Sequence, residues 1–354
     1  MSYYVYSGEK RERVPIETTN VNFESSVHTI HKEAFRNCSL ITSIEIPRSV
    51  HTIENNAFNQ CISLSKIHIP PSVQTIGAWA FHGCSSITNI KIPPSVQIIE
   101  HGTFCECLSL TGINVSPIVS AIGFNAFFRC QHLSSINIPI SVHTIEAGAF
   151  SECSSLTHIQ IPLSSSIHSI GEYAFFRCKS LTNIYIPPTV HIIEDLLFSG
   201  CESLTHVHIP NTVTSIGNSA FSGCFSLSEI HIPASVEHIG DMAFEFCSSL
   251  TRIDIPSSVK TIGVCAFHYC TSLRTIYISK SCIFDYSTFP DAAKLIYGWH
   301  KVGTYVLLRE LCIKNRATFN SIERERDHDK LQTIHIFLTQ TNDDVFRNIL
   351  KFLL

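Results

Sequence analysis

Cysteine and histidine are the side chains of this sequence with the most chemical potential, and it holds 15 cysteines and 19 histidines in 354 residues. Thiols form disulfides, bind metals or act as nucleophiles. Eleven cysteines follow one another at steps of 23 residues, apart from one step of 25: Cys38, Cys61, Cys84, Cys107, Cys130, Cys153, Cys178, Cys201, Cys224, Cys247 and Cys270. Such a column gives every thiol the same surroundings, which indicates packing rather than catalysis. We therefore expect free, buried thiols.

Several histidines follow the same period. His206, His208 and His231 would lie within one or two coils of each other, with His158 further along. Neighbouring imidazoles can hold zinc or gain charge below about pH 6.5. However, the sequence has no Cys-x-x-Cys or His-Glu-x-x-His spacing, and it lacks the glycine-rich phosphate-binding and Gly-x-Ser-x-Gly motifs. We expect no metal site, no cofactor and no enzyme activity.

The cysteines belong to a 23-residue repeat whose unit reads I-P-x-S-V-x-x-I-G-x-x-A-F-x-x-C-x-S-L-T-x-I-x. A phenylalanine stands three residues before each column cysteine, a spacing that predicts one inward-facing helical turn. The Leu-Thr-x-Ile-x-Ile segment alternates as a half-buried strand does, and proline then ends it. The recurring glycine suits a bend. The step of 25 residues contains two extra residues within 163–167, at a turn, so the phase of the repeat should resume afterwards.

One such unit cannot bury its phenylalanine, cysteine and aliphatic side chains by itself. Stacked coils with parallel strands about 4.8 Å apart would place each inward residue on its equivalent in the next coil. The repeat therefore predicts a solenoid with a continuous internal column of phenylalanine and cysteine. Outward positions of the strands would be the only ones free to differ.

Composition limits the function classes. Charged residues make up 15% and hydrophobic residues 44%, which excludes disorder for most of the chain. A formal charge of -4 gives no basic footprint, so nucleic acid is not an expected partner. No run approaches the ~18 apolar residues that cross a bilayer, so we expect no membrane insertion. The first 13 residues do not have the pattern of a secretory signal, and we expect a cytoplasmic protein.

The Ile-Pro and Ala-Phe-x-x-Cys columns resemble the BspA-like leucine-rich-repeat family over residues 23–289. The resemblance implies a parallel-stranded solenoid used in protein recognition, and some surface members of that family act as adhesins. We predict an α/β, β-rich leucine-rich-repeat solenoid of about eleven coils, with a parallel strand ladder and a helical C-terminal cap. Its domains would be an N-terminal cap (1–22), the solenoid (23–290) and a mainly helical cap or tail (291–354).

Both ends of an open stack need covering. At the N-terminus, Val5, Tyr6, Val14 and Ile16 could form an irregular first coil over Phe35. At the C-terminus, residues 291–316 have a helical distribution of apolar residues. Residues 341–354 predict an amphipathic helix with a faint similarity to the first helix of an F-box. This helix would cap the solenoid or recruit an adaptor.

The outward strand positions are the candidate binding residues for a protein partner of unknown identity, because they vary where everything around them repeats. Tyrosine and arginine are types enriched at protein interfaces. We predict a non-catalytic interaction or scaffolding module, with a surface or secreted adhesin-like binder of host or matrix proteins as the alternative and the adaptor as a further one; the oligomeric state stays open. The candidate residues are Lys66, His68, Lys91, Gln160, Tyr185, His206, His208, His231, Arg252, Asp254 and Tyr277.

Overall fold

The computed structural model describes residues 2–285, 287–290 and 293–297. Each repeat in this range forms one coil with three sides. The Leu-Thr-x-Ile-x-Ile segment gives a strand of three or four residues, although 229–231 form no regular strand. The Ile-Gly segment contributes a two-residue strand, and Ala-Phe-x-x-Cys forms tight turns.

In chain order the strands are β1 (Tyr3–Tyr6), β2 (Asn20–Phe23), β3 (Thr29–Ile30), β4 (Ser43–Glu45), β5 (Thr52–Ile53), β6 (Lys66–His68), β7 (Thr75–Ile76), β8 (Asn89–Lys91), β9 (Ile98–Ile99), β10 (Gly112–Asn114), β11 (Ala121–Ile122), β12 (Ser135–Asn137), β13 (Thr144–Ile145), β14 (His158–Gln160), β15 (Ser169–Ile170), β16 (Asn183–Tyr185), β17 (Ile192–Ile193), β18 (His206–His208), β19 (Ser215–Ile216), β20 (His238–Ile239), β21 (Arg252–Asp254), β22 (Thr261–Ile262), β23 (Thr275–Ile278), β24 (Ile283–Phe284) and β25 (Lys294–Tyr297).

The longer strands form one side of the stack, here called the strand face: β4, β6, β8, β10, β12, β14, β16, β18, β21, β23 and β25. Paired strands are parallel and in register, so that Tyr185 lies opposite His208. The two-residue strands form a second parallel ladder. There Thr144 lies opposite Ser169, across the step of 25 residues. The two extra residues leave the phase intact, as predicted.

The third side replaces the predicted helical turn with a series of tight turns. Inside a coil, the Cys38 N–H donates to the Phe35 carbonyl (3.1 Å), whereas the Phe35 N–H donates to the Ala57 carbonyl (2.8 Å) of the next coil. Backbone N–H groups that would form the hydrogen bonds of a helix within one coil thus form hydrogen bonds to the next coil. This alternation requires positive φ five residues and one residue before each column cysteine, for example 57° at Leu196 and 59° at Arg129.

The core is one column of aromatic rings with a column of thiols beside it. The eleven repeat phenylalanines, of which Phe35 is the first and Phe267 the last, are fully buried, and neighbouring rings stack with centroids 5.0 to 5.7 Å apart. Phe289 adds a further ring 5.4 Å from Phe267, so the described coils number about twelve rather than eleven. The eleven repeat cysteines are buried and free, as expected.

The glycine of the Ile-Gly segment has a different role from the bend that its type suggests. Its φ is not positive at Gly217, where a Cβ would lie 2.7 Å from the backbone nitrogen and 2.5 Å from Oδ1 of Asp195 in the preceding coil. The glycine therefore allows close approach between coils. The positive-φ positions lie in the turns instead, and most of them hold other residue types.

The N-terminal segment covers the first ring, although only part of the predicted cap packs inward. β1 and β2 pair in parallel. Tyr6 is fully buried with its ring 5.2 Å from Phe35, and Val14 is buried too. Val5 and Ile16, by contrast, are exposed, because the alternation of β1 points Val5 outward and Ile16 lies in a turn.

The helical C-terminal cap is not supported. The described part of the predicted helix at 291–316 contains β25, which extends the strand face beside β23 with Thr275 opposite Lys294. The free strand edge of β23 supplies hydrogen bonds that outweigh the helical spacing of the apolar residues. No helix occurs in the described residues, so the helical component of the expected α/β class is not present there. The predicted helix at 341–354 lies outside them, and the boundary near residue 290 stays a prediction.

Candidate binding face

The strand face presents two outward side chains per coil, on either side of a central inward residue. This follows from strand alternation, which turns Ile184 inward and Asn183 and Tyr185 outward. Of the eleven candidate residues, ten are exposed and Tyr185 is half-buried. The predicted exposure is therefore confirmed for ten of the eleven residues, whereas the role of all of them in binding stays a prediction.

Arg252 is the centre of a preformed cluster near the C-terminal end of the strand face. Its guanidinium donates to both carboxylate oxygens of Asp254, with Nε–Oδ1 3.1 Å and Nη2–Oδ2 2.8 Å. The guanidinium carbon lies 5.0 Å from the ring centroid of Tyr277, on the neighbouring strand. Both contacts favour one orientation of the arginine, which reduces the side-chain entropy that is lost when a partner binds.

A second preformed pair lies where β16 meets β18. The rings of Tyr185 and His208 are nearly parallel, with centroids 6.4 Å apart. Next to them, Nδ1 of His206 lies 2.9 Å from the Thr205 hydroxyl. Among the described residues, no group of three or more His, Cys, Asp or Glu side chains is arranged to hold a metal ion. The arrangement offers flat aromatic surface and exposed ring nitrogens for contact with a partner.

The structure divides the candidates into two groups. Lys66, His68 and Lys91 lie on β6 and β8, and the group from Tyr185 to Tyr277 lies on β16 to β23. Gln160, on β14, stands between them, and His231 lies in the coil without a regular strand.

A depression of about 460 Å³, which sequence reasoning missed, begins at the first group and extends from β6 to β12. Gly112, which lines it, is the one outward position from β4 to β25 without a side chain. Two inward residues of the strand face, Ile67 and Ile113, are only partly buried there. A glycine in an otherwise side-chain-bearing column was the signal that could have revealed it.

The strand face also has a distinctive charge distribution. From Lys66 to His208, seven consecutive coils carry no carboxylate at an outward position; Glu45 lies before this stretch and Glu229 after it. Lys66 and Lys91 are the lysines of the stretch. Although the whole chain has a net charge of -4, the two lysines and the lack of outward carboxylates make this stretch attractive to negative groups.

The turn side carries an exposed aromatic pair that sequence reasoning also missed. The rings of Phe246 and Tyr269 stack with centroids 4.7 Å apart, and both residues are exposed. Both have positive φ, an uncommon conformation for large side chains. Each ring belongs to the residue just before a column cysteine, Cys247 or Cys270. The two rings meet because the tight turns of neighbouring coils stack in register.

A comparison with known families decides the classification. The family described as BspA type leucine rich repeat region, with six copies of its repeat, matches residues 15–130, 97–212 and 168–296. The chain belongs to this family. The resemblance drawn from the repeat is thereby confirmed, and such repeat proteins typically serve in protein interaction. Among curated proteins, none matches this leucine-rich-repeat chain.

Solved structures of bacterial leucine-rich-repeat proteins are similar to it. A leucine-rich cell surface protein from Faecalibacterium prausnitzii shares 28% identity with a TM-score of 0.55, covering 85% of this chain and 90% of that one. A protein from Bacteroides ovatus shares 27% with a TM-score of 0.47, covering 77% and 87%. The pneumococcal vaccine antigen PcpA shares 20% with a TM-score of 0.54, covering 83% and 85%. Within the described part of this chain, no helix has the length and apolarity to cross a membrane.

Proposed function

We propose that this leucine-rich-repeat chain is a non-catalytic recognition module that binds a protein partner on its strand face. The main observation in support is that the core residues repeat in every coil, whereas the exposed outward side chains differ from coil to coil. Tyr185 and the cluster of Arg252 and Tyr277 offer aromatic and guanidinium groups, the types that most often dominate binding energy.

The state of the core thiols supports a role without catalysis. The Cys153 thiol donates to the Phe127 carbonyl (3.1 Å), and the same contact recurs from coil to coil. Burial raises the pKa of Cys153 far above its ordinary value, and it has no contact with solvent. A nucleophilic cysteine needs the opposite conditions, namely access and a lowered pKa.

Affinity capture from the native cell tests the role of the strand face. The test variant combines Tyr185→Ala, His208→Ala and Arg252→Ala. The matched control combines Tyr269→Ala, His191→Ala and Arg177→Ala, which removes the same residue types away from the strand face. We expect the test variant to lose its captured partner by at least about tenfold, corresponding to ~1.4 kcal/mol, while the control retains it. Loss with the control alone would move the binding surface to the other sides of the coils.

We propose the cytoplasm as the setting, following the expectation from the sequence. Display at a cell surface is the alternative, and it is favoured by the similarity to the F. prausnitzii protein, which is described as a cell surface protein. Fractionation of cells that express a tagged chain, with protease added to intact cells, separates the two. The adaptor hypothesis concerns residues 341–354, which lie outside the described residues.

A further inference from the structure

The depression at Gly112 is built from the strand face itself. Its floor is formed by Gly112, Ile67 and Ile113, and the two isoleucines are only partly buried. Asn89, Asn114, Ser135 and Asn137 line it, together with Lys91. Partly exposed aliphatic floor surrounded by polar side chains is the composition typical of a small binding site.

The fold does not demand a glycine at position 112. A Cβ there would meet only Oδ1 of Asn89, at 3.4 Å, which is an ordinary contact, and φ is not positive. Glycine weakens a strand interior and often marks a site where another backbone approaches closely. No backbone of residues 2–285, 287–290 or 293–297 occupies the space over Gly112, so an incoming chain can approach this strand closely.

The chemistry of the lining matches a polypeptide. Side-chain amides carry both donors and acceptors, as peptide groups do. The side-chain amides of Asn89, Asn114 and Asn137 have no hydrogen-bonding partner among the described residues. The lining residues include no aromatic side chain on which a sugar ring could stack. Lys91 lies in the lining and Lys66 on the strand before it, within the carboxylate-free stretch.

We propose that this depression binds an extended, acidic peptide segment of the partner, with its main chain over Gly112 and its carboxylates beside Lys66 and Lys91. This inference rests on the proposed function, because it specifies the chemistry of a partner of the strand face. Amide side chains fix the peptide groups, the glycine allows close approach, and the lysines select negative side chains.

Selection from a displayed library of random dodecapeptides on the immobilised full chain supplies the probe. We expect enrichment of acidic sequences, and the affinity of the enriched peptide is then measured by fluorescence anisotropy. Gly112→Val fills the depression with a residue suited to a strand, and Lys91→Glu reverses the charge. Each should weaken binding by at least about tenfold, and added salt should weaken it as well. Thr275→Val, in the same column away from the depression, is the matched control and should leave the affinity unchanged.

Thermal melts of all variants separate loss of binding from loss of folding, and Lys91→Glu keeps the test decisive if Gly112→Val does not fold. Enrichment of basic or apolar peptides, or affinity that survives both substitutions, would overturn the inference. If a hyaluronan hexasaccharide displaces the enriched peptide from the chain but an unlabelled acidic peptide does not, the depression binds an acidic glycan instead.

If the natural partner is lost with the Tyr185, His208 and Arg252 variant but kept by Gly112→Val, the proposed function stands and this inference fails. If no strand-face substitution affects the partner, both fail.

Discussion

At the scale of single residues, the repeat cysteine is a directional hydrogen-bond donor as well as a packing group. The Cys153 thiol and the Cys130 N–H, both 3.1 Å away, donate to the same Phe127 carbonyl, so the thiol links one coil to the backbone of the coil before it. Valine or alanine would fill part of the volume without this link. Cysteine at this position of the repeat therefore contributes a hydrogen bond between coils as well as a side chain of the right size.

The column thiols predict that the folded chain loses stability at alkaline pH. Burial raises the pKa of Cys38 to about 12 and raises that of Cys153 further. Above the ordinary thiol pKa of about 8.5, the unfolded chain releases protons that the folded chain retains. The free energy of unfolding should therefore fall as pH rises through that value, by up to ~1.4 kcal/mol per pH unit for each thiol.

Chemical denaturation under reducing conditions from pH 7 to pH 10 measures this dependence. Cys153→Ser keeps a hydroxyl donor but removes one titrating thiol, so its stability should decline less steeply. Stoichiometric alkylation of the column cysteines in the folded chain at pH 9 would contradict the prediction, since it would show accessible thiolates.

At the scale of elements, the same residue type has opposite meanings on two sides of the coil. Gly217 lies where neighbouring coils come too close for a Cβ, whereas Gly112 lies in a strand with room for one. In the tight turns of the third side, by contrast, a residue other than glycine holds a position that glycine would accept more easily: Leu196 has a positive φ. Close approach between coils, not the local bend, decides which glycines the fold requires.

This contrast predicts different outcomes for one substitution at two sites. Gly217→Ala should lower the free energy of unfolding by about 2 kcal/mol or more, because its Cβ would press on the backbone of Asp195. Gly112→Ala should leave it unchanged or raise it by up to about 1 kcal/mol, since alanine is favoured over glycine in a strand interior. Urea denaturation of the two variants measures both effects. Equal destabilisation would show that Gly112 is a structural requirement as well.

At the scale of the whole stack of described coils, stability comes from contacts between neighbours. Each phenylalanine ring is covered by the rings before and after it, and no coil has an interior of its own. Repeat proteins of this kind behave as a sum of units and interfaces between nearest neighbours. The phase of the coils therefore matters more than their number.

Removal of one whole coil, residues 131–153, should yield a folded protein with a somewhat lower melting temperature. Cys130 would then take the place of Cys153, and every later coil would still stack in phase. Removal of about half a coil, residues 131–142, should abolish cooperative melting, because inward side chains would be stacked on outward ones. Circular dichroism and thermal melts of the two deletions check this. Equal behaviour of both would contradict stacking in phase.

Much of the fold could be predicted from the sequence, because inward and outward positions are a local property of a repeat. The period placed Phe81, Phe104 and Phe127 in the core, and it gave the exposed outward residues of the strands. It also showed that two extra residues at a turn leave the phase intact. The candidate site was predictable as a face for the same reason.

Contacts between coils were decided only by the tertiary structure. The sequence alone determined which side chains point inward, since 23-residue spacing repeats that information in every coil. Only stacking decided that Cys153 reaches the Phe127 carbonyl, that Gly112 opens a depression, and that Lys294–Tyr297 extends a strand edge in place of a helix. These features depend on what lies beside a residue in the neighbouring coil, about 23 positions away, and no local pattern encodes that neighbour's geometry.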